Sequence, residues 1–240
     1  MTTRRFLILL LAMALQAGLP RSASAINTVQ WGGNLFATDI TSTGASINGS
    51  FTFALGAFRD GFNPVVGNMD QWAAYFDVFD EADYNDDPGT FGTPFWASEA
   101  SITENRTSTS PEATVNATFA VGQQAYLWVF NNQTFDITGS NGAEWALVTA
   151  DNWLFPDASP DCCDADPPVI WDICDVDIAG LNEGPVYGSV GNLTGPGNYT
   201  IAPPPGECRI QTALVPEPTT TTLALFAVGL GLFRRRHRRA

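Results

Sequence analysis

SINGSFTFALGAF, residues 46–58, shows the clearest two-residue alternation of apolar side chains in the chain. Ile47, Phe51, Phe53 and Leu55 recur mostly at every second position, and glycine and serine border the run. In an extended strand alternate side chains point to the same face, so this spacing is typical of a strand with one buried face. The stretch therefore predicts a β-strand in the core of the protein.

Further short runs of the same kind follow, separated by turn-forming residues. They are QQAYLWVFNN (123–132), EWALVTADNWLFP (144–156) and DCCDADPPVIWDICDVDIAG (161–180), and the last alternates Val169 and Trp171. Short strands divided by Asn, Asp, Gly and Pro are typical of all-β domains. We therefore predict a mainly β protein, an antiparallel β-sandwich, whose β-rich ectodomain spans residues 26–183.

One stretch, NMDQWAAYFDVFDEADYNDD (68–87), departs from this alternation. Trp72, Tyr75, Phe76 and Phe79 fall at positions i, i+3, i+4 and i+7, which places them on one side of a helix. We therefore predict one short amphipathic helix that packs on the sheet.

Residues 184–215 are rich in glycine and proline and include the run Pro203-Pro204-Pro205. This composition favours an extended linker. We expect Cys208 to staple the linker to the body of the protein through a disulfide.

The chain contains four cysteines, Cys162, Cys163, Cys174 and Cys208. An even number of cysteines in an exported protein indicates disulfides, and the spacings do not fit a zinc ribbon or finger. Adjacent cysteines rarely bond to each other. We therefore favour pairing of Cys162 and Cys163 with Cys174 and Cys208, in either order.

The N-terminal segment has the features of a secretory signal peptide. A basic pair and an apolar run precede two small residues that flank Ser24. The features are Arg4-Arg5, residues 6–15, Ala23 and Ala25. Residues 1–25 are therefore predicted to engage the secretion machinery and to be cleaved after Ala25.

The C-terminal segment contains three consecutive features: a Pro-Glu-Pro triplet, an apolar run and a basic block. They are Pro216-Glu217-Pro218, residues 223–233, and Arg234, Arg235, Arg236, Arg238 and Arg239. The apolar run with its preceding threonines is about 15 residues, slightly shorter than usual for a membrane span. By the positive-inside rule the arginines would stay in the cytoplasm, so we predict a C-terminal transmembrane helix with the body outside.

Taken together, residues 216–240 resemble the PEP-CTERM sorting signal of exported bacterial proteins. The resemblance implies that an exosortase recognises the chain and removes the anchor near Pro216-Glu217-Pro218. It also implies a transient stay in the inner membrane and delivery to the cell surface or the extracellular space, in bacteria that build extracellular polysaccharide.

The charge of the ectodomain excludes some functions. Only three of the 11 basic residues, Arg59, Arg106 and Arg209, lie in residues 26–215, whereas only Glu217 of the 25 acids lies outside. Three cations against 24 acids give a formal charge of −21, which disfavours nucleic-acid binding. The single histidine, His237, lies in the basic tail and lysine is absent, so histidine-based and lysine-based catalysis are excluded from the ectodomain.

Carboxylates and tryptophans are the remaining candidates for binding. Asp80, Asp83, Asp86 and Asp87 form an acidic run whose oxygens suit calcium, although an acidic surface that keeps the protein soluble explains the run more simply. Three tryptophans next to Gly, Pro or Asp are candidates for exposed rings that stack on sugars: Trp31, Trp96 and Trp171.

These observations predict a non-enzymatic protein with a structural or adhesive role in extracellular polysaccharide, such as a biofilm matrix, and with no cofactor unless calcium binds. A calcium-dependent, lectin-like carbohydrate module is the first alternative, which exposed and coplanar tryptophans would favour. A carboxylate-based glycoside hydrolase is the second alternative, which two facing acids in an aromatic cleft would favour.

Overall fold

A computed structural model describes residues 26–85, 94–136, 141–158, 167–177, 184–202 and 208–215. The predicted signal peptide and the predicted sorting segment, including Ala23, Ala25, the Pro-Glu-Pro triplet and the terminal arginines, lie outside these residues. Asp86, Asp87, Cys162 and Cys163 also lie outside them.

The described part of the chain is built mainly from twelve β-strands. The longer strands are β1 (Ile26–Gly32), β2 (Thr52–Phe58), β3 (Phe76–Ala82), β5 (Phe95–Thr103), β6 (Tyr126–Phe130), β7 (Glu144–Val148) and β8 (Val169–Asp172). The two-residue strands are β4 (Tyr84–Asn85), β9 (Ser189–Val190), β10 (Leu193–Thr194), β11 (Ile210–Gln211) and β12 (Ala213–Leu214). The helical elements are a 3-10 helix (Val66–Gln71), α1 (Trp72–Tyr75) and a second 3-10 helix (Ile173–Asp177).

The strands form three sheets. A five-stranded sheet has the order β12-β7-β6-β2-β3, a four-stranded sheet has the order β4-β5-β1-β8, and a small sheet has the order β10-β9-β11. Pairing is antiparallel except between β1 and β8. The predicted mainly β, antiparallel fold is thus confirmed, and its sandwich arrangement stays a prediction. Within the described residues, no helix has the length and apolarity to cross a membrane.

The five-stranded sheet is buried on both faces. In β2, Phe53 and Leu55 pack in a larger core that also contains residues of the other two sheets, among them Trp31 and Val190. Phe58 packs on the opposite face, in a second core. The strand predicted from residues 46–58 is therefore present, but its second face is buried too, which explains the apolar residues between the alternating ones.

The second core lies under α1 and the preceding 3-10 helix. Trp72 of α1 stacks on Trp145 at 5.7 Å and meets Trp128 edge-on at 6.1 Å. Met69 of the 3-10 helix and Tyr187 complete the same cluster. The helical elements thus cover the outer face of the sheet.

The predicted amphipathic helix is correct only over its first turn. A short helix is present, but β3 begins at Phe76 and pairs with β2 along its length. Phe76 enters the second core and Phe79 enters the larger core, so the two rings lie on opposite faces of the sheet. The helical spacing arose because a strand buried on both faces carries apolar residues at odd and even intervals.

The predicted linker is wrong for the part of residues 184–215 that the structure describes. Four of the strands, β9 to β12, lie there, and Tyr187, Val190, Ile210 and Ala213 are all fully buried. Short strands with glycine-rich turns have the composition of a linker, so composition alone did not reveal these contacts.

The structure also corrects the favoured disulfide pairing. Cys174 and Cys208 bond to each other, across 34 residues of sequence. The bond joins the start of β11 to the 3-10 helix after β8, so Cys208 does tie the C-terminal segment to the body, as predicted.

Replacing both Cys174 and Cys208 with serine should lower the free energy of unfolding by about 4 kcal/mol, because a closed loop of this length restricts the unfolded chain. Urea unfolding of the exported body measures the loss. The double variant Cys162→Ser/Cys163→Ser is the matched control, since it keeps the observed bond. Equal stability of the Cys174→Ser/Cys208→Ser variant and the wild type would contradict the prediction.

Candidate functional site

An acidic cleft of about 690 Å³ lies beside the end of β3 and against β5. Its lining includes five acids, Asp80, Glu81, Asp83, Glu99 and Glu112. Phe51 and Tyr84 also line it, together with serine and threonine side chains from neighbouring turns. We call this depression the acidic cleft, and it concentrates negative charge at one place on the surface.

The predicted calcium residues are only partly brought together here. Asp80 and Asp83 both line the acidic cleft, but Asp80 is buried and Asp83 is exposed. Asp80 accepts a hydrogen bond of 2.8 Å from the Trp31 indole nitrogen, which gives its carboxylate a structural partner. Among the described residues, no group of three or more acids, histidines or cysteines is arranged to hold a metal ion.

The surroundings of Glu81 in the cleft favour its protonated form. Burial raises the pKa of Glu81 above its ordinary value, and the negative charges of Glu112, Asp80 and Asp83 raise it further. A carboxyl group held among like charges either keeps its proton to higher pH or attracts a cation. The cleft therefore has the chemistry for cation binding or for proton donation.

All seven tryptophans are buried, and each lies within the described residues. The expectation that Trp31, Trp96 and Trp171 are exposed is therefore wrong: their exposed fractions are 4%, 2% and 2%. Trp31 and Trp171 line a shallow depression of about 470 Å³ beside the exposed Ile170, but at these exposures neither offers a ring face to a sugar.

Several buried indoles donate to acidic side chains. Besides the bond from Trp31 to Asp80, the Trp96 nitrogen donates to Asp39 at 2.6 Å and the Trp153 nitrogen donates to Asp175 at 3.0 Å. A buried N–H group without an acceptor is costly, so these carboxylates stabilise the cores that contain the rings. Some of the acidic residues thus act as hydrogen-bond acceptors for buried indoles.

Asp39 is buried and bonds to two separate segments, and the sequence carried no signal for it. One carboxylate oxygen accepts from Trp96 of β5, and the other accepts from the Ile210 backbone at 2.8 Å. Burial raises the pKa of Asp39 to about 6, against the lowering effects of these two hydrogen bonds and of Arg209. The single carboxyl group therefore joins β5, β11 and the segment before residue 40.

Glu144 was also missed and joins three segments in a similar way. Its carboxylate accepts from the Ser42 backbone at 2.9 Å, from the Ser42 hydroxyl at 2.8 Å and from the Thr212 hydroxyl at 2.6 Å. These bonds tie β7 to the turn after β1 and to the C-terminal strands. Glu144 is thus a structural group.

Fold and site together define a mainly β protein with aromatic cores and an acidic surface cleft. Residues 214–239 match the family model described as the PEP-CTERM protein-sorting motif, so the chain carries the sorting signal that its C-terminal sequence resembles. This motif marks a protein that is exported, transits the membrane and is processed by an exosortase. No curated protein and no solved structure matches the chain.

Asp39 makes the stability of the body dependent on pH. Its pKa is about 6 in the folded state and 3.8 as the ordinary value, so the folded state binds the Asp39 proton more tightly than the unfolded state does. The stabilisation linked to this proton is fully present below pH 3.8 and is lost as the pH rises through about 6. The shift corresponds to about 3 kcal/mol. Urea unfolding of wild type and Asp39→Asn from about pH 3 to 8 should therefore show a stability difference that changes by about that amount.

The control for this titration is Asp151→Asn, which alters an exposed acid. It is measured over the same range and shows how much the removal of an exposed carboxylate changes stability. A stability difference between Asp39→Asn and wild type that does not change with pH would show that Asp39 does not titrate with a raised pKa.

Proposed function

We propose that the body is a non-catalytic structural or adhesive protein of the cell surface or extracellular matrix that associates with extracellular polysaccharide. In this proposal the predicted signal peptide directs export, the predicted C-terminal span holds the chain briefly in the inner membrane, and exosortase processing releases the body. The observation that supports a structural role most directly is the burial of all seven tryptophans, three of which donate to carboxylates.

A β-sandwich of the two larger sheets is part of this proposal. The larger core contains Val29 and Ile102 of the four-stranded sheet and Leu55 and Val129 of the five-stranded sheet. Such shared packing is the physical basis of sandwich folds.

The distribution of cations supports an acidic, weakly interacting surface. Arg59 bonds to Asp77 at 2.8 Å and to the Ala74 carbonyl oxygen. Arg106 bonds to Asp157 at 2.6 Å and to the Pro156 carbonyl oxygen at 3.0 Å. Because these two arginines are paired within the body, the acids dominate the charge of its surface.

The acidic cleft favours a calcium-dependent carbohydrate module as the second candidate. Carboxylate oxygens are the ligands that calcium prefers, and a calcium ion in the cleft would partly neutralise its charge and could coordinate sugar hydroxyls or uronic acids. The alternative of sugar stacking on tryptophan loses its support, because the rings are buried.

The same cleft also supports the alternative that the body is a glycoside hydrolase. Such enzymes need one protonated and one ionised carboxyl group, and the raised pKa of Glu81 near Glu112 is of this kind. Release of reducing ends from the host polysaccharide, lost in Glu81→Gln, would support that alternative over the proposed role.

Binding of the exported body to the host's own extracellular polysaccharide tests the proposal. We expect saturable binding in a sedimentation assay with calcium and with chelator alike. Binding that is lost with chelator and in Glu81→Gln/Glu112→Gln, but kept in the control Asp60→Asn/Asp151→Asn, would establish the calcium-dependent module instead. Absence of binding in both conditions would contradict any association with the polysaccharide.

Replacement of Pro216, Glu217 and Pro218 with alanine tests the sorting step. The variant should accumulate in the membrane as the full-length anchored form, while the wild type is converted to a shorter released form. Immunoblots of membrane and culture fractions measure the ratio of the two forms. Equal release of variant and wild type would show that the triplet is not the processing signal.

A further inference from the structure

The sorting motif begins inside the folded body. The match to the motif starts at residue 214, and Leu214 is the last residue of β12, at the edge of the five-stranded sheet. Ala213 pairs with Trp145 and Leu214 pairs with Glu144 of β7.

The next residue, Val215, donates its backbone N–H to the Ala143 carbonyl oxygen at 2.9 Å and is 5% exposed. Pro216 follows directly, so no spacer separates the sheet from the Pro-Glu-Pro triplet.

Contacts from outside the sheet also hold β12. Leu214 donates its backbone N–H to Asn198 at 3.1 Å, and its carbonyl oxygen accepts a hydrogen bond from the Tyr187 hydroxyl. Tyr187 is fully buried in the second core against Trp72. Gly197 lies so close that an added Cβ would meet the Ala213 side chain at 2.5 Å. The strand is therefore enclosed on several sides.

The C-terminal strands are held upstream of β12 as well. Thr212 donates its N–H to Ile40 at 3.0 Å and its hydroxyl to Glu144 at 2.6 Å. The disulfide between Cys174 and Cys208 anchors the segment a few residues earlier. A pull on the chain end therefore acts on β12 first, and the rest of the segment stays in place.

Peptidases bind their substrates as extended chain on both sides of the bond that they cleave, because their clefts pair with the substrate backbone. Near the triplet, the residues on the N-terminal side are those of β12 and Val215. Their backbone groups are already used in the body, and Ala213 and Val215 are buried. The substrate conformation and the folded conformation therefore compete for the same residues.

The distance to the membrane leaves little freedom to avoid this competition. Seven residues, 216–222, separate Val215 from Leu223, where the apolar run begins, and the fully extended chain between these two residues reaches at most about 28 Å. The body consequently stands close to a membrane-embedded protease, and the triplet cannot move away from the body to reach it.

We infer that β12 and Val215 form a latch that limits processing: cleavage at the sorting motif requires β12 to leave β7. The rate of release then equals the cleavage rate of the open form multiplied by the fraction of molecules in which the latch is open. A folded body keeps its anchor longer than a body whose C-terminal strand is loose. The inference rests on the exosortase processing that the motif implies.

A spacer of about six glycines and serines between Val215 and Pro216 in the full chain tests the latch, because it frees the residues before the triplet without altering the body. In a pulse–chase experiment in the producing bacterium, the anchored form should convert to the released form at least about threefold faster than in wild type, because the fraction of molecules that can be cleaved no longer depends on the opening of β12. An unchanged or slower conversion would overturn the inference.

A second variant leaves every residue of the motif in place. Tyr187→Phe removes the hydrogen bond to Leu214 and should speed conversion up to about fivefold, the factor that one ordinary hydrogen bond contributes to an opening equilibrium. Tyr199→Phe is the matched control, since the Tyr199 hydroxyl donates to Gly195 and not to β12. Equal rates for Tyr187→Phe and Tyr199→Phe would also count against the latch.

The alanine variant of the triplet separates this inference from the sorting step itself. If that variant is converted like wild type, processing at the motif fails as an explanation and the latch fails with it. If the alanine variant stays anchored while the spacer variant matches wild type, the sorting step stands and only the latch is wrong.

Discussion

The hydrogen bond from Trp31 to Asp80 connects the two larger sheets, and the surrounding structure depends on it. Trp31 belongs to β1 of the four-stranded sheet and Asp80 to β3 of the five-stranded sheet, and both side chains are buried. An indole provides a large apolar surface and one donor, and Asp80 supplies the acceptor for the Trp31 donor inside the core. Asp39 and Asp175 serve Trp96 and Trp153 in the same way. Indole N–H groups thus take the place that lysine and arginine side chains usually fill beside buried acids.

This arrangement explains how such an acidic body can fold with three arginines. A carboxylate inside the protein is destabilising unless it has hydrogen-bond partners, and a neutral donor satisfies it without adding a second charge that must be desolvated. Asp39 shows the limit of this solution, because burial raises its pKa to about 6 despite two donors and a nearby arginine. Several other acids, among them Glu81, Asp83 and Glu112, gather in the acidic cleft, where their negative charges repel one another.

A feature of this structure can be predicted from the sequence when its signal is local, and it cannot when the feature depends on contacts between distant segments. Alternation over residues 46–58 predicted β2 correctly, because at least one face of that strand is buried and periodicity reports burial. The same signal misassigned Phe76 to a helix, since a strand with two buried faces loses its simple period. The Cys174–Cys208 bond and the acceptors of the indoles depend on which distant segments meet, and local composition contains no information on that. The C-terminal motif was recognised because its features are consecutive in sequence and need no tertiary contact.

The backbone hydrogen bonds of the arginines affect how easily proteases outside the cell can cleave the protein. Trypsin-like proteases cleave after lysine or arginine, and the body contains only Arg59, Arg106 and Arg209. The carbonyl oxygen of each accepts a backbone hydrogen bond, from Phe62 at 3.0 Å, from Phe119 at 2.8 Å and from Gly191 at 3.0 Å, respectively. Each of these carbonyl groups is thus engaged in the folded structure, and its hydrogen bond must break before the chain can extend into a protease cleft. For this reason we expect the folded body to resist cleavage after its arginines.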